Sequence, residues 1–255
     1  MVKTTLTHDR SQAGFTLVEL AIVMIIIGLL IGGILKGQEL IQNAQVTSTA
    51  SQVKAIEAAI TTFRDSYAAV PGDMRNPGNR LPNCPAGSVC NVANAGATGG
   101  NNRIDQAPSV AAGAGTEATR FWSHLAAADL IGGVDYASTD LSWGAALPAA
   151  EIGGGFVVGY AGVVADLAGA GPATINSGHY LSLRNTAGTA VANTNANAPI
   201  RPTQAARIDR KLDDGAPNSG SVLAAGPAAC ATAGVNGTYV ENTGTVQCQL
   251  YLRVQ

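Results

Sequence analysis

The chain has 255 residues, of which 13% are charged, and its formal net charge is −2. No Lys/Arg cluster occurs, which disfavours nucleic acid as the main partner, because phosphate binding needs a concentrated basic surface. Abundant Gly and Ala with few aromatics suit an exported domain with long loops better than a compact cytosolic enzyme, and the length allows one good-sized core or two small ones.

Residues 1–13 form a polar leader with Lys3 and Arg10 as its basic residues. From Phe15 to Leu35 the chain runs through twenty-one residues with a single charge, Glu19. At about 1.5 Å per residue this makes a helix of roughly 32 Å, enough to cross a bilayer's hydrocarbon core. Cations ahead of a membrane segment stay cytoplasmic, so the expected orientation is N-terminus in and C-terminal bulk translocated. A secretory signal peptide would place small residues after the apolar run. Here Ala13 and Gly14 precede it and no A-x-A site follows.

GFTLVEL, Gly14 to Leu20, resembles the N-terminal motif of type IV prepilins and of the pseudopilins of type II secretion. The motif requires a glycine, the apolar run and a glutamate at one place, and it covers about the first tenth of the chain. The resemblance implies that a membrane-embedded prepilin peptidase cuts between Gly14 and Phe15, and that Phe15 becomes an N-methylated N-terminus. It also implies an α+β, pilin-like fold in which a long N-terminal helix, transmembrane in one half and amphipathic in the other, packs on an antiparallel β-sheet head. The implied location is a single span of the inner membrane with a periplasmic head, then a filament at the cell surface or in the periplasm. Other pilin-like subunits, the peptidase, an inner-membrane assembly platform and, before assembly, lipid are the implied partners.

Glu19 matches the glutamate of that motif. A lone carboxylate inside a membrane helix costs on the order of 3 kcal/mol and normally has a partner. In a filament the available cation is the N-terminal amine of a neighbouring subunit, which would set the register between subunits. The alternative is that Glu19 snorkels to the headgroups and complements the helix dipole. Gly28/Gly32 and Gly33/Gly37 both have G-x-x-x-G spacing, which permits close helix–helix approach in lipid. Each glycine also weakens the helix by about 1 kcal/mol relative to Ala, so a stretch that bends or extends on packing is expected. The other reading is that glycine is simply common in membrane helices.

Beyond Lys36, Val46, Val53, Ile56, Ile60, Phe63 and Tyr67 recur at helical spacing, with Gln52, Lys54, Glu57 and Arg64 on the outward side. The helix is expected to end at the VPGD turn, where Pro71 cannot continue it and Gly72 supplies a positive φ. The expected segments are a leader (1–14), a transmembrane or filament-core helix (15–36), its amphipathic continuation (37–70) and an exported α+β head (71–255).

Residues 76–116 lack periodicity and read as a long surface loop. Within it, GGNNRID (99–105) offers only Asn101 and Asp105 at the spacing of a calcium loop, so a plain loop is expected. Residues 116–131 read as a helix with Thr116 as N-cap and Gly132 after its end, Trp122 and His124 being structural. Strands are expected at 156–164, 179–184, 221–225, 238–242 and 246–254, with a hairpin turn at Asn242-Thr243-Gly244. A short helix capped by Thr203 and stopped at Gly215 is expected over 203–215. FWSHLAAADLI, IDRKLDDG, PNSGSV and the Cys-bearing final strand also resemble segments of pilin-like proteins.

Four cysteines, Cys84, Cys90, Cys230 and Cys248, follow the apolar segment and point to disulfides in an oxidising compartment. Three connectivities exist. The local pairs Cys84–Cys90 and Cys230–Cys248 are favoured because each closes a short loop. Zinc is disfavoured, since neither CxxC nor a nearby Cys/His pair occurs. Asp209, Asp213 and Asp214 are the candidates for a metal, calcium by ligand type; otherwise they form a charged helix end. No other cofactor is expected. HExxH, GxSxG and a P-loop are absent, so the chain reads as a peptidase substrate and not an enzyme. The expected function is a structural subunit, minor by its large head and long loops, of a type IV pilus-like filament. The alternatives are a type II secretion pseudopilin and, third, an unprocessed single-span anchored binding protein or enzyme.

Overall fold

The computed structural model describes residues 14–91, 100–168, 175–189, 197–232, 234 and 236–254, so the leader at 1–13 and Gly99 lie outside the described residues. The chain divides into two compact units between Asn43 and Ala44. Helix α1, Leu17–Tyr67, belongs to both.

In the first unit α1 runs unbroken through Gly28, Gly32, Gly33 and Gly37, and every residue from Gly14 to Lys36 is exposed. In the second unit its apolar stripe turns inward. Val46, Val53, Ile56, Ile60 and Phe63 are buried and Tyr67 half-buried, as the spacing predicts, and Thr49, Ala50 and Ala59 join them. Gln52 departs from its outward assignment, for it is half-buried and donates to the Ala149 carbonyl at 2.6 Å. The helix stops at Ala68, whose φ of 48° is left-handed. Gly72 then turns the chain with φ 84°, and an added Cβ there would strike the Glu117 carbonyl, so both backbone angle and close approach demand glycine.

The stretch expected to be a surface loop is instead partly core. It contains a short helix α2, Pro77–Arg80, and a single 3-10 turn at Val89–Asn91. Leu81, Cys84, Val89, Cys90, Ile104 and Ala112 point inward. Their apolar side chains are too widely spaced to produce a helix or strand period, so the pattern hides the burial. Helix α3, Glu117–Ala127, follows Thr116, whose hydroxyl donates to the Gly113 carbonyl and makes no cap bond. It ends at Asp129, left-handed at φ 58°, with Leu130 N–H reaching back to Leu125 O, so Gly132 is not its stop. Every residue of α3 except Ala126 is buried.

Four strands form one antiparallel sheet in the order β1-β2-β4-β3: β1 Gly155–Ala161, β2 Gly178–Arg184, β3 Val222–Ala225 and β4 Gln249–Arg253. Alternation divides its side chains between two faces. Phe156, Val158, Leu181, Leu183, Leu250, Leu252, Val222 and Ala224 join the main core with the α1 stripe and α3. Ala161, Tyr180, Tyr251, Leu223 and Ala225 make a second cluster with Leu167. Arg184 lies buried on this second face, donating to Ser182 Oγ and to the carbonyls of Pro108, Val110 and Thr189. Burial lowers its pKa to about 10.

Helix α4, Pro202–Leu212, starts one residue before Thr203. Pro202 occupies the first helical position, Arg201 stands at the N-cap, and the Gln204 carboxamide accepts the Arg201 N–H at 3.0 Å. The expected strand at 238–242 and its hairpin turn are not formed. Thr238 to Val240 instead pair with Cys230 to Thr232 through a single bridge, Ala231 with Tyr239. Residues 246–248 also stay outside β4, Cys248 bridging to Ile200. The disulfide Cys230–Cys248 accounts for the difference, since it draws the start of β4 towards the 230–232 segment.

Candidate functional site

The first turn of α1 holds the residues singled out by the sequence. Gly14, Phe15 and Thr16 precede the helix, and Phe15 is 86% exposed. An added Cβ at Gly14 would meet nothing, and its φ is not left-handed. Among the described residues nothing demands glycine there.

Glu19 is the third helical residue and Thr16 stands at the N-cap position. Glu19 Oε2 accepts the Thr16 N–H and the Thr16 hydroxyl, each at 2.9 Å, while Thr16 Oγ1 accepts the Glu19 N–H at 3.2 Å. This reciprocal pair is a capping box, which satisfies two backbone donors left orphaned by helix geometry. The carboxylate also lies at the positive end of the helix dipole. Thr16 is the residue that the sequence reading missed. Its signal was present as the T-x-x-E spacing ahead of an apolar run.

Behind Glu19, large apolar side chains cover all sides of α1, including Met24, Ile26, Leu29, Leu30, Ile34 and Leu35, all exposed. Added Cβ atoms at Gly28, Gly32, Gly33 or Gly37 would meet nothing within 4 Å, so these positions are open among the described residues. Among the described residues α1 is the one helix long and apolar enough to cross a membrane. Its first ion pair, Lys36 Nζ to Glu39 at 2.7 Å, marks the polar end of that stretch.

Both favoured disulfides are formed, Cys84–Cys90 and Cys230–Cys248. Asp209, Asp213 and Asp214 also come together, with one oxygen from each within 4.8 Å of the others. Each already accepts hydrogen bonds from the protein. Asp209 receives the Gly215 N–H at 3.1 Å and the Tyr239 hydroxyl at 2.8 Å. Asp213 receives the Ser221 and Val222 N–H groups. Asp214 receives Ala216 N–H at 2.8 Å and Ser219 Oγ at 2.7 Å. The three thus tie the end of α4 to the start of β3 and to the 230–240 segment. Burial, opposed by those bonds and reinforced by the two neighbouring carboxylates, raises Asp209 to about 7. In the 99–105 stretch Asn101 and Asp105 bond to each other, Nδ2 to Oδ1 at 2.9 Å.

Residues 9–35 match the prokaryotic N-terminal methylation motif. This is the prepilin-type motif of type IV pilins and pseudopilins. The long apolar N-terminal helix and four-stranded antiparallel sheet give an α+β layout consistent with a pilin fold. No curated protein and no solved structure matches the chain.

Proposed function

We propose that this chain is a structural, non-enzymatic subunit of a type IV pilus-like filament, a minor one, inserted as a precursor in the inner membrane with its head in the periplasm. Prepilin peptidase cuts between Gly14 and Phe15, Phe15 is methylated, and the subunit polymerises through α1. One observation carries the reading. The methylation motif sits on a helix whose first turn holds a carboxylate and whose apolar residues from Leu17 to Leu35 are exposed among the described residues.

The driving force must be more than removal of apolar surface from water, because lipid tails are as apolar as leucine. Close packing across Gly28, Gly32, Gly33 and Gly37, together with a partner for Glu19, supplies the difference. A carboxylate in the membrane costs on the order of 3 kcal/mol, which an amine from the neighbouring subunit offsets in the filament. The Thr16 bonds hold the same carboxylate in the meantime.

Glu19→Ala should leave membrane insertion intact and sharply reduce incorporation into filaments sheared from cells. Normal incorporation of that variant removes the register mechanism. Secretion pseudopilins carry the same N-terminal motif, so the fraction that holds the mature chain distinguishes the two machines. Sheared surface filaments indicate a pilus, and a purely periplasmic filament indicates secretion.

A further inference from the structure

Two buried histidines bond to the backbone of the chain that follows α1. His124, on α3 and fully buried, accepts the Gly72 N–H on Nδ1 at 2.9 Å and meets the Cys90 carbonyl with Nε2 at 3.1 Å. Only the neutral ring with its proton on Nε2 makes both bonds. Its ring stacks on Phe63 of α1, centroids 6.3 Å apart. His179, on β2 and also buried, accepts the Ile104 N–H on Nε2 at 3.3 Å and meets the edge of Tyr160 from β1. The chain has three histidines, and the third, His8, lies in the leader.

We propose that His124 and His179 form an acid-sensitive clasp, in which a proton gained by either ring takes up the lone pair of the nitrogen that accepts a backbone N–H and releases Gly72 or Ile104 while the four-stranded sheet stays paired. This rests on neither the filament reading nor processing at Gly14.

The surroundings of each ring disfavour its cation. For His124 the acting charge is Arg120, one turn earlier on α3; Asp73 adjoins Gly72, and the 84–90 loop contributes no ionisable group. For His179 it is Arg64 of α1, while Arg103 sits over the Tyr160 ring at 5.7 Å, and Val254, just after β4, donates its N–H to the His179 carbonyl. Burial above all lowers both rings to about 4, opposed at His124 by the bond to the Cys90 carbonyl, with Arg120 and Arg64 adding to the lowering. The sign follows. A released ring has an ordinary pKa of about 6.5. Holding it neutral therefore favours the clasped state above that pH and is lost progressively as pH falls from 6.5 to about 4.

Two carboxyls nearby act in the opposite sense. Burial holds Asp73 and Glu117 above the usual carboxylate range, so protonating them favours the fold. Asp73 takes the N–H groups of Gly100 and Asn102, and Glu117 that of Asp105 at 2.8 Å. A protonated carboxyl still accepts such bonds, whereas a protonated imidazole does not. A global melt sums these opposing contributions, so the clasp must be read at individual amides.

The test is hydrogen exchange at the Gly72 and Ile104 amides of the full chain in detergent micelles, from pH 7 to 4, corrected for intrinsic rates. The protection factor at each should fall by up to tenfold per pH unit below 6.5, while amides of β2 and β4 keep theirs. His124→Asn with His179→Gln, which place a non-titrating oxygen near each accepting nitrogen, should abolish the pH dependence at both amides. Protection unchanged down to pH 4 in the wild type overturns the proposal, as does the same fall in the double variant. If that variant does not fold, the wild-type imidazole NMR signals decide. Free titration of His124 and His179 near 6.5 without loss of protection contradicts the clasp.

Discussion

A matched pair of substitutions on α1 separates its two halves. Phe63 is 0% exposed, packs against Tyr67 with ring centroids 4.7 Å apart, and belongs to the main core. Replacing it by Ala removes that burial and leaves a cavity, a change that costs about 3–5 kcal/mol in a well-packed core. Against a domain stability of roughly 5–15 kcal/mol this is a large fraction. At roughly 2–4 °C per kcal/mol for a unit of this size, the head's thermal midpoint should fall by about 10 °C. Ile26 is also a large apolar residue of α1, but it is 51% exposed. Ile26→Ala should therefore leave the melt of the head unchanged. The assay is thermal unfolding of the full chain in detergent, followed by near-ultraviolet circular dichroism. A Phe63→Ala midpoint within 2 °C of wild type, or an equal fall for Ile26→Ala, would refute the division of the helix.

Three further outcomes are expected. Asp209 is raised to about 7 from an ordinary value of 3.8, so its contribution to stability is fully present below pH 4 and lost as pH rises through 7. It amounts to at most about 4 kcal/mol, and Asp209→Asn should flatten this part of the pH–stability profile; an unchanged profile contradicts the assignment. Because Asp209, Asp213 and Asp214 already accept protein donors, neither millimolar calcium nor a chelator should move the melting midpoint; a rise of several degrees with calcium would make them a metal site. Gly159 of β1 lies against the backbone of Gln106 to Pro108, which an added Cβ would strike well inside van der Waals contact. Gly159→Ala should thus displace that loop and free Arg184 from the Pro108 carbonyl, lowering stability by about 1–3 kcal/mol; an unchanged denaturation midpoint would show that the loop moves without cost.

The regular parts of this fold were legible because they repeat. The 3.6-residue period marked α1 and α3, and apolar runs bounded by Gly, Pro and Asn marked β1 to β4 within a few residues. The long connection after α1 was not legible, because its inward residues Leu81, Cys84, Val89, Cys90 and Ile104 are held by a disulfide and by His179, not by a period. The 238–242 segment was misread for a related reason. TYVEN has the composition of a strand, but Cys230–Cys248 and the Tyr239 bond to Asp209 commit it to a local bridge. Arg184 was invisible as a core residue, since its burial rests on carbonyls distant in sequence. At the N-terminus the reverse holds. The Thr16–Glu19 capping box is local, and its T-x-x-E spacing could have been read from the sequence.

In the proposed reading the bilayer stores α1 until the chain is processed for assembly. Mass spectrometry of the N-terminal peptide, taken from the membrane and sheared-filament fractions of cells making the native chain, tests it most directly. The expected peptide begins at N-methylated Phe15 in both fractions. A peptide that retains Gly14 and the residues before it, in a chain found only in the membrane, would contradict the account and leave an anchored protein that is never processed.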